Sequence, residues 1–209
     1  MDTNKFIEMR PYLYHLTDKN NLPQIIAMGR ILSTKGIVKL SDMQSPKTFL
    51  QGRRDHHTLI RANGIDYKIR DQRPISIKVL KRSLTNNWTS ERFIEHLNSK
   101  VFFWPTIERL SKHYTRYSFE KPVILRFKSS DILNLNLNAE FSRLNSGATR
   151  CSSHWNGNAP ERGPLTFVTA PNFNYSFNAV AEVTIPEYCN LPQIYWQSAQ
   201  PTGPWRRLK

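Results

Sequence analysis

Residues 122–128 read Pro-Val-Ile-Leu-Arg-Phe-Lys, with Val123, Leu125 and Phe127 at every second position. A period of two builds a strand with one buried face and does not suit a helix of the same length. The same reading predicts a strand over 11–17, with Leu13, His15 and Thr17 on one face and Tyr12, Tyr14 and Leu16 on the other. Further strands are predicted over 101–104, 178–185 and 191–196. Helical spacing occupies other stretches. Thr89 can cap a helix over 89–97 that carries Phe93, Ile94 and Leu97 on one face, and Pro105 can open a helix over 106–116 carrying Ile107, Leu110 and Tyr114. A short helix over 22–28 has Asn21 as its cap, Pro23 in its first turn and Gly29 as its stop. Residues 36–42 fit neither period. Helices concentrate in the first half and strands in the second, so the chain reads as one α+β domain over 1–196. An extended basic tail, 197–209, follows and carries Arg206-Arg207.

A hydrophobic content of 39% with 11% aromatics can fill one packed core. No apolar run approaches the roughly eighteen residues of a membrane span, and the first residues lack a basic start and an apolar stretch. Two cysteines, Cys151 and Cys189, cannot make a disulfide scaffold, so a cytoplasmic location away from the membrane is expected. Charge separates the partner classes. Thirty Lys and Arg against sixteen Asp and Glu leave +14, a field that draws polyanions. Nucleic acid is the first partner this implies; an anionic cofactor or an acidic protein is the second.

Four segments carry candidate chemistry. Tyr14-His15-Leu16-Thr17 sets a histidine on a strand before a capped helix. Leu97-Asn98 precedes the aromatic string Val101-Phe102-Phe103-Trp104. Asn145-Ser146-Gly147 is a turn former, and Arg162-Gly163 follows shortly after it. Ala181-Glu182-Val183 sets an acid inside a strand, where it shares a face with Val180 and Thr184 and needs either solvent or a role. Each segment also has an ordinary reading, as a structural histidine, core rings, a loop or a solvated charge.

Taken in order, with Asn21-Leu22-Pro23, Arg53-Arg54 and Asp71-Gln72-Arg73-Pro74, these segments make the chain resemble the DarT-like branch of the ADP-ribosyltransferases over residues 11–196. More closely, it resembles a little-characterised bacterial group with the same motifs. The resemblance implies split antiparallel sheets around a cleft that binds NAD as ADP-ribose donor, without a metal. It implies that His15 hydrogen-bonds a ribose hydroxyl in a donor-binding strand with Leu16 and Thr17, and that Phe102 or Phe103 packs on the nicotinamide. Glu182 becomes the catalytic acid, and Arg53 or Arg54 meets the pyrophosphate. A fixed carboxylate beside the ribose opposes the positive charge that builds as nicotinamide leaves. The chain departs from the wider pattern where Leu16 replaces a glycine, phenylalanine replaces the usual tyrosine of the aromatic strand, and Val180 stands two residues before Glu182.

Other constellations are weaker. His56 and His57 are adjacent and cannot readily share a metal, Cys151 with His154 is a lone pair of ligands, and no glycine-rich phosphate loop occurs. The 170–178 stretch, just before the Glu182 strand, occupies the place where the family chooses its acceptor. Its Asn172, Asn174 and Tyr175 are the residue types that read base edges and stack on unpaired bases, or else ordinary residues of a surface loop. The expected activity is mono-ADP-ribosylation of single-stranded nucleic acid, RNA ahead of DNA. The resemblance adds a toxin role, restrained by an antitoxin protein or serving phage defence. The alternatives are a protein-modifying transferase, a non-catalytic basic RNA-binding domain and a tRNA 2′-phosphotransferase.

Overall fold

The computed structural model describes residues 1–149 and 159–208. Asp2 caps α1 (Thr3–Met9) by accepting from the Asn4 and Lys5 N–H groups, and the helix buries Phe6. Strand β1 (Tyr12–Thr17) follows, and then α2 (Leu22–Met28), which Gly29 ends in the left-handed region at φ 60°. Asn21 does not cap α2 with its side chain. Its amide instead donates to the Lys68 carbonyl and accepts from the Lys68 N–H, both at 2.9 Å. After β2 (Arg30–Leu32), Ser33 caps α3 (Thr34–Lys39), so the stretch that showed no clear period is mostly helical. Helix α4 (Pro46–Gln51) leads to a hairpin of β3 (Thr58–Ala62) and β4 (Ile65–Ile69).

The hairpin has a sequence signal. Asn63-Gly64 joins its strands with φ of 49° and 76°, the tight turn that follows the right-handed twist of flanking strands. Alternation then buries Ile60, Ala62, Tyr67 and Ile69 and exposes Leu59.

Next come α5 (Ile77–Ser83), α6 (Ser90–Asn98) with Thr89 as its cap, β5 (Lys100–Phe103) and α7 (Ile107–Tyr117). Thr106 is the α7 cap, so Pro105 lies outside the helix. The chain continues through β6 (Val123–Lys128), α8 (Ser129–Leu135), β7 (Glu140–Ser142) and β8 (Val168–Thr169). It ends with β9 (Glu182–Pro186), β10 (Tyr188–Asn190), β11 (Tyr195–Ser198) and β12 (Arg206–Leu208).

Two four-stranded antiparallel sheets organise these elements, in the orders β1-β6-β11-β12 and β5-β9-β7-β8. Pairs β2-β10 and β3-β4 are separate. Reciprocal hydrogen bonds between Tyr14 and Trp104, at 3.0 and 2.9 Å, join β1 to the end of β5. Leu13, Leu125 and Phe127 from the first sheet share one core with Val101, Phe103, Phe141, Val183 and Ile185 from the second. Burial of these side chains at ~25 cal/mol per Å² is the main force holding the sheets together. The protein is thus mixed α and β with several small antiparallel sheets.

Two expectations are corrected here. The strand predicted over 178–185 begins later, because residues 177–179 form a 3-10 turn that packs Phe177 and Ala179 against the core. The 197–209 tail is not an irregular end. Gln197 and Ser198 belong to β11, and Arg206–Leu208 returns antiparallel to it as the sheet edge, so the expected boundary at 196 falls inside a strand. Among the described residues no helix is long and apolar enough to cross a membrane.

Candidate active site

The two large sheets, the β3-β4 hairpin, α7 and the α2-β2-α3 segment line an open cleft of about 260 Å³. Roughly 300 Å³ marks the lower end of small-molecule sites.

Glu182 opens β9 on the cavity side and is only 3% exposed. The sequence left it either solvated or in use, and burial of β9 removes the reading as a solvated surface charge. Its Oε2 accepts from the Ser146 N–H at 3.1 Å and the Ser146 hydroxyl at 2.6 Å. Among the described residues nothing hydrogen-bonds Oε1. Burial pushes the carboxyl up to about 7, against the Ser146 hydrogen bonds and the charges of Arg109 and Arg162.

The motifs around Glu182 hold one another. The Thr149 N–H donates to the Pro74 carbonyl, the Ser76 N–H to the Thr149 hydroxyl, and Arg162 Nη2 to the Ala148 carbonyl. Arg162 is paired with Ser83 and Thr85 through its own backbone. A side chain on Gly163 would meet the Thr85 hydroxyl at 2.9 Å, which explains a glycine there. The bracket therefore aims Ser146 at the carboxylate.

His15 faces the cavity from β1, and its Nδ1 lies 2.9 Å from the Phe102 carbonyl. A carbonyl only accepts, so Nδ1 carries the proton and Nε2 carries a lone pair. The dense surroundings drive the ring's pKa down to about 4, which keeps it neutral at ordinary pH. His15 Nε2 therefore keeps a lone pair able to accept a hydrogen bond. Leu16 and Thr17 line the cavity beside it.

In each of the two open choices, one member lines the cavity and the other does not. Phe102 lies opposite Thr184 and lines the cavity, whereas Phe103 lies opposite Val183 and is fully buried in the core against Phe127. Phe103 is thus removed from the expected contacts, because alternation turns neighbouring rings to opposite faces. Arg54 lines the cavity and donates to the Arg70 carbonyl and to Asn98 Oδ1 at 2.9 Å. Burial lowers its pKa to about 10, opposed by Asp71. Arg53 does not line the cavity; it pairs with Asp55 and donates to the Ile75 carbonyl. Asn98 also accepts from Gln72 and donates to the Leu50 carbonyl, so Asn98, Arg54 and Gln72 form one buried network.

Arg70 was missed. It follows β4; its guanidinium lies 4.4 Å over the Tyr117 ring, and its Nη2 donates to the Thr17 carbonyl at 3.4 Å. Its Nε and Nη1 are buried without partners. The signal was the Asn63-Gly64 hairpin, which delivers Arg70 directly before Asp71-Gln72-Arg73. His113, stacked 4.4 Å from Trp104, also lines the cavity, and burial lowers its pKa to about 3.

Asn172, Asn174 and Tyr175 do not line the cavity. Asn172 donates to the Thr169 hydroxyl, Asn174 is exposed, and Tyr175 is 50% exposed with the Arg143 guanidinium 4.6 Å over its ring. Phe173 of the same loop is buried in the core. Among the described residues no three His, Cys, Asp or Glu side chains gather as for a metal, and Cys151 and His154 lie outside the described residues. His57 instead accepts from the Asp71 N–H and donates to Glu120 at 2.7 Å.

The cavity therefore offers one carboxyl near neutrality, one hydrogen-bond acceptor, one apolar ring and a guanidinium with unused donors. No curated protein and no solved structure matches the chain. A family model matches residues 11–191, so the chain belongs to DUF7002, a family of unknown function.

Proposed function

We propose that the protein is an NAD-dependent mono-ADP-ribosyltransferase acting on single-stranded nucleic acid. The observation that carries the reading is Glu182, a buried carboxyl poised near neutral pH in the same cavity as the neutral acceptor His15. An ADP-ribose donor fits this residue set. Nε and Nη1 of Arg70 would exchange a desolvation cost for contacts to pyrophosphate oxygens, with Arg54 adjacent. His15 Nε2 would accept from a ribose hydroxyl, and Phe102 would cover the nicotinamide ring. The donor supplies an activated glycosidic bond. The chain's part is to hold the ribose, exclude water and present ionised Glu182 Oε1 where positive charge grows, while Ser146 fixes Oε2. The paired sheets around this cleft are consistent with an ADP-ribosyltransferase-like fold. The +14 charge favours a polyanionic acceptor. A toxin role with a neutralising antitoxin belongs to the same reading.

The test is incubation with adenine-labelled NAD and, in parallel, RNA, single-stranded DNA and protein. Label should enter nucleic acid, RNA before DNA, and vanish with Glu182→Gln. Label in protein alone overturns the acceptor. Undiminished transfer by folded Glu182→Gln overturns the assignment of Glu182.

A further inference from the structure

The first sheet has a second face, opposite the one that meets the core, and α7 packs on it at its Leu16–Ile124 end, beside the cavity. The register places Tyr12 opposite Lys128, and Arg126 between Tyr14 and Trp196. Directly opposed residues share a face, so Tyr12, Tyr14, Arg126, Lys128 and Trp196 all project outward while Leu13, Leu125 and Phe127 project to the core. Trp205, on the turn before β12, folds onto the same surface. The Arg126 guanidinium centre lies 4.7 Å from the Tyr12 ring, 4.9 Å from Trp196 and 4.4 Å from Trp205. These rings are half-buried and Lys128 is exposed. Arg126 Nε is buried without a hydrogen-bond partner. Among the described residues neither Arg126 nor Lys128 forms a salt bridge, and the carboxylate felt at this face is Glu108 of α7, at its Tyr14 edge.

We propose that this face is a docking platform for single-stranded nucleic acid, with bases stacking on the tyrosine and tryptophan rings and phosphates meeting Arg126 and Lys128. It rests on the nucleic-acid half of the proposed function but not on the transfer chemistry. A surface face of a sheet ordinarily carries mixed polar residues. Here aromatic area and positive charge are interleaved with no acid in the register, which complements a ligand that is itself flat rings joined by anions. Four strands about 4.8 Å apart span roughly 14 Å, room for two or three bases. An acidic protein surface would use the cations but not the rings.

The experiment measures binding of a fluorescein-labelled single-stranded RNA of mixed sequence by anisotropy, without NAD. The same strand as a duplex and polyglutamate serve as competitors. Wild type and Glu182→Gln should bind alike. Trp196→Ala should weaken binding roughly tenfold. Trp196→Phe should restore most of it, and Lys128→Ala should lower the salt dependence. Lys128 is exposed, so its variant reads the platform even if Trp196→Ala misfolds. Competition by duplex or polyglutamate as effective as by the single strand overturns the stacking. Unchanged affinity in folded Trp196→Ala and Lys128→Ala moves the nucleic acid elsewhere. Tight RNA binding by these variants with Glu182-dependent labelling intact would refute the platform and spare the transferase.

Discussion

The two four-stranded sheets bury their apolar faces in the same core and differ in what covers the other face. The second face of β5-β9-β7-β8 carries Lys100, Phe102, Glu140, Ser142, Glu182 and Thr184, which opposite pairing puts on one side. Other parts of the chain close over it. Lys100 is 7% exposed and answers Glu140 at 2.6 Å, and Glu182 is answered by Ser146. The second face of β1-β6-β11-β12 is covered by α7 at its Leu16–Ile124 end, with Tyr14 and Trp205 packed against that cluster, while Arg126 is half-buried and Lys128 is exposed. The same alternation thus builds a site in one sheet and a surface in the other. The contrast teaches that a charged residue becomes chemically perturbed through its lid rather than its strand. Burial pushes the Glu182 carboxyl up to about 7.

The largest expected effect breaks the buried side of this contrast. Glu182→Gln should cost at least about 10²–10³ in transfer rate. It should also change stability with a definite sign. The native carboxyl binds its proton more tightly than an unfolded one, so wild type loses stability as pH rises from near the usual carboxylate range through about 7. The loss is on the order of a few kcal/mol. Melting temperatures of wild type and variant should therefore diverge in the variant's favour between about pH 5 and pH 8. A constant difference would mean that Glu182 is not held protonated by burial.

Ser146→Ala tests the lid itself. It removes the 2.6 Å hydroxyl bond that favours the ionised carboxylate and keeps the backbone bond. The rising limb of the pH–rate profile, expected near 7, should move to higher pH, with roughly a tenfold fall in rate at neutral pH. An unmoved limb would assign it to another group.

His15→Ala should raise the KM for NAD several-fold and leave the limb where it is, since a ring with pKa about 4 does not titrate there. A second limb near pH 6 that disappears in this variant would show that the ring works as an acid. Arg70→Gln should also raise that KM, by a similar or smaller factor, whereas Arg53→Ala should change it less than twofold because Arg53 does not line the cavity. Equal effects of the two would remove the assignment of Arg70.

The smallest effect belongs to the open sheet. Lys128→Ala should shift unfolding free energy by no more than about 0.5 kcal/mol at any pH between 5 and 9. Urea denaturation across that range measures it. A larger or pH-dependent change would mean that this face is also covered.

Much of the site was readable because its residues come in short strings with a physical reason for each member. His15 and Phe102 sit on strands that the sequence marked, one by its facing residues and one by its apolar run, and both line the cavity. The choice between Phe102 and Phe103 was not readable, since the string 101–104 is apolar at every position and the partner strand distinguishes the two rings. Arg70 went unnoticed for a different reason. A lone arginine has no pattern of its own, and its importance comes from Thr17 and Tyr117, 53 and 47 residues distant. The late start of β9 and the returning edge strand β12 escaped for a third. Phe177 and Ala179 keep an apolar spacing in a 3-10 turn, and a turn at 201–204 gives no sign of which strand the chain will rejoin.

What the sequence determined by itself is local: the alternation of β1 and β6, the cap at Thr89, the stop at Gly29, and a charge of +14 that no folding can remove. These follow from forces that act over a few residues or simply add along the chain. Only the tertiary structure decided that Ser146 reaches Glu182 across 36 positions, that Phe102 rather than Phe103 meets the cavity, and that Arg126 is boxed by rings from β1, β11 and the turn before β12. Desolvation and orientation are properties of a surrounding shell, and that shell is assembled from segments too far apart for any short-range pattern to record it.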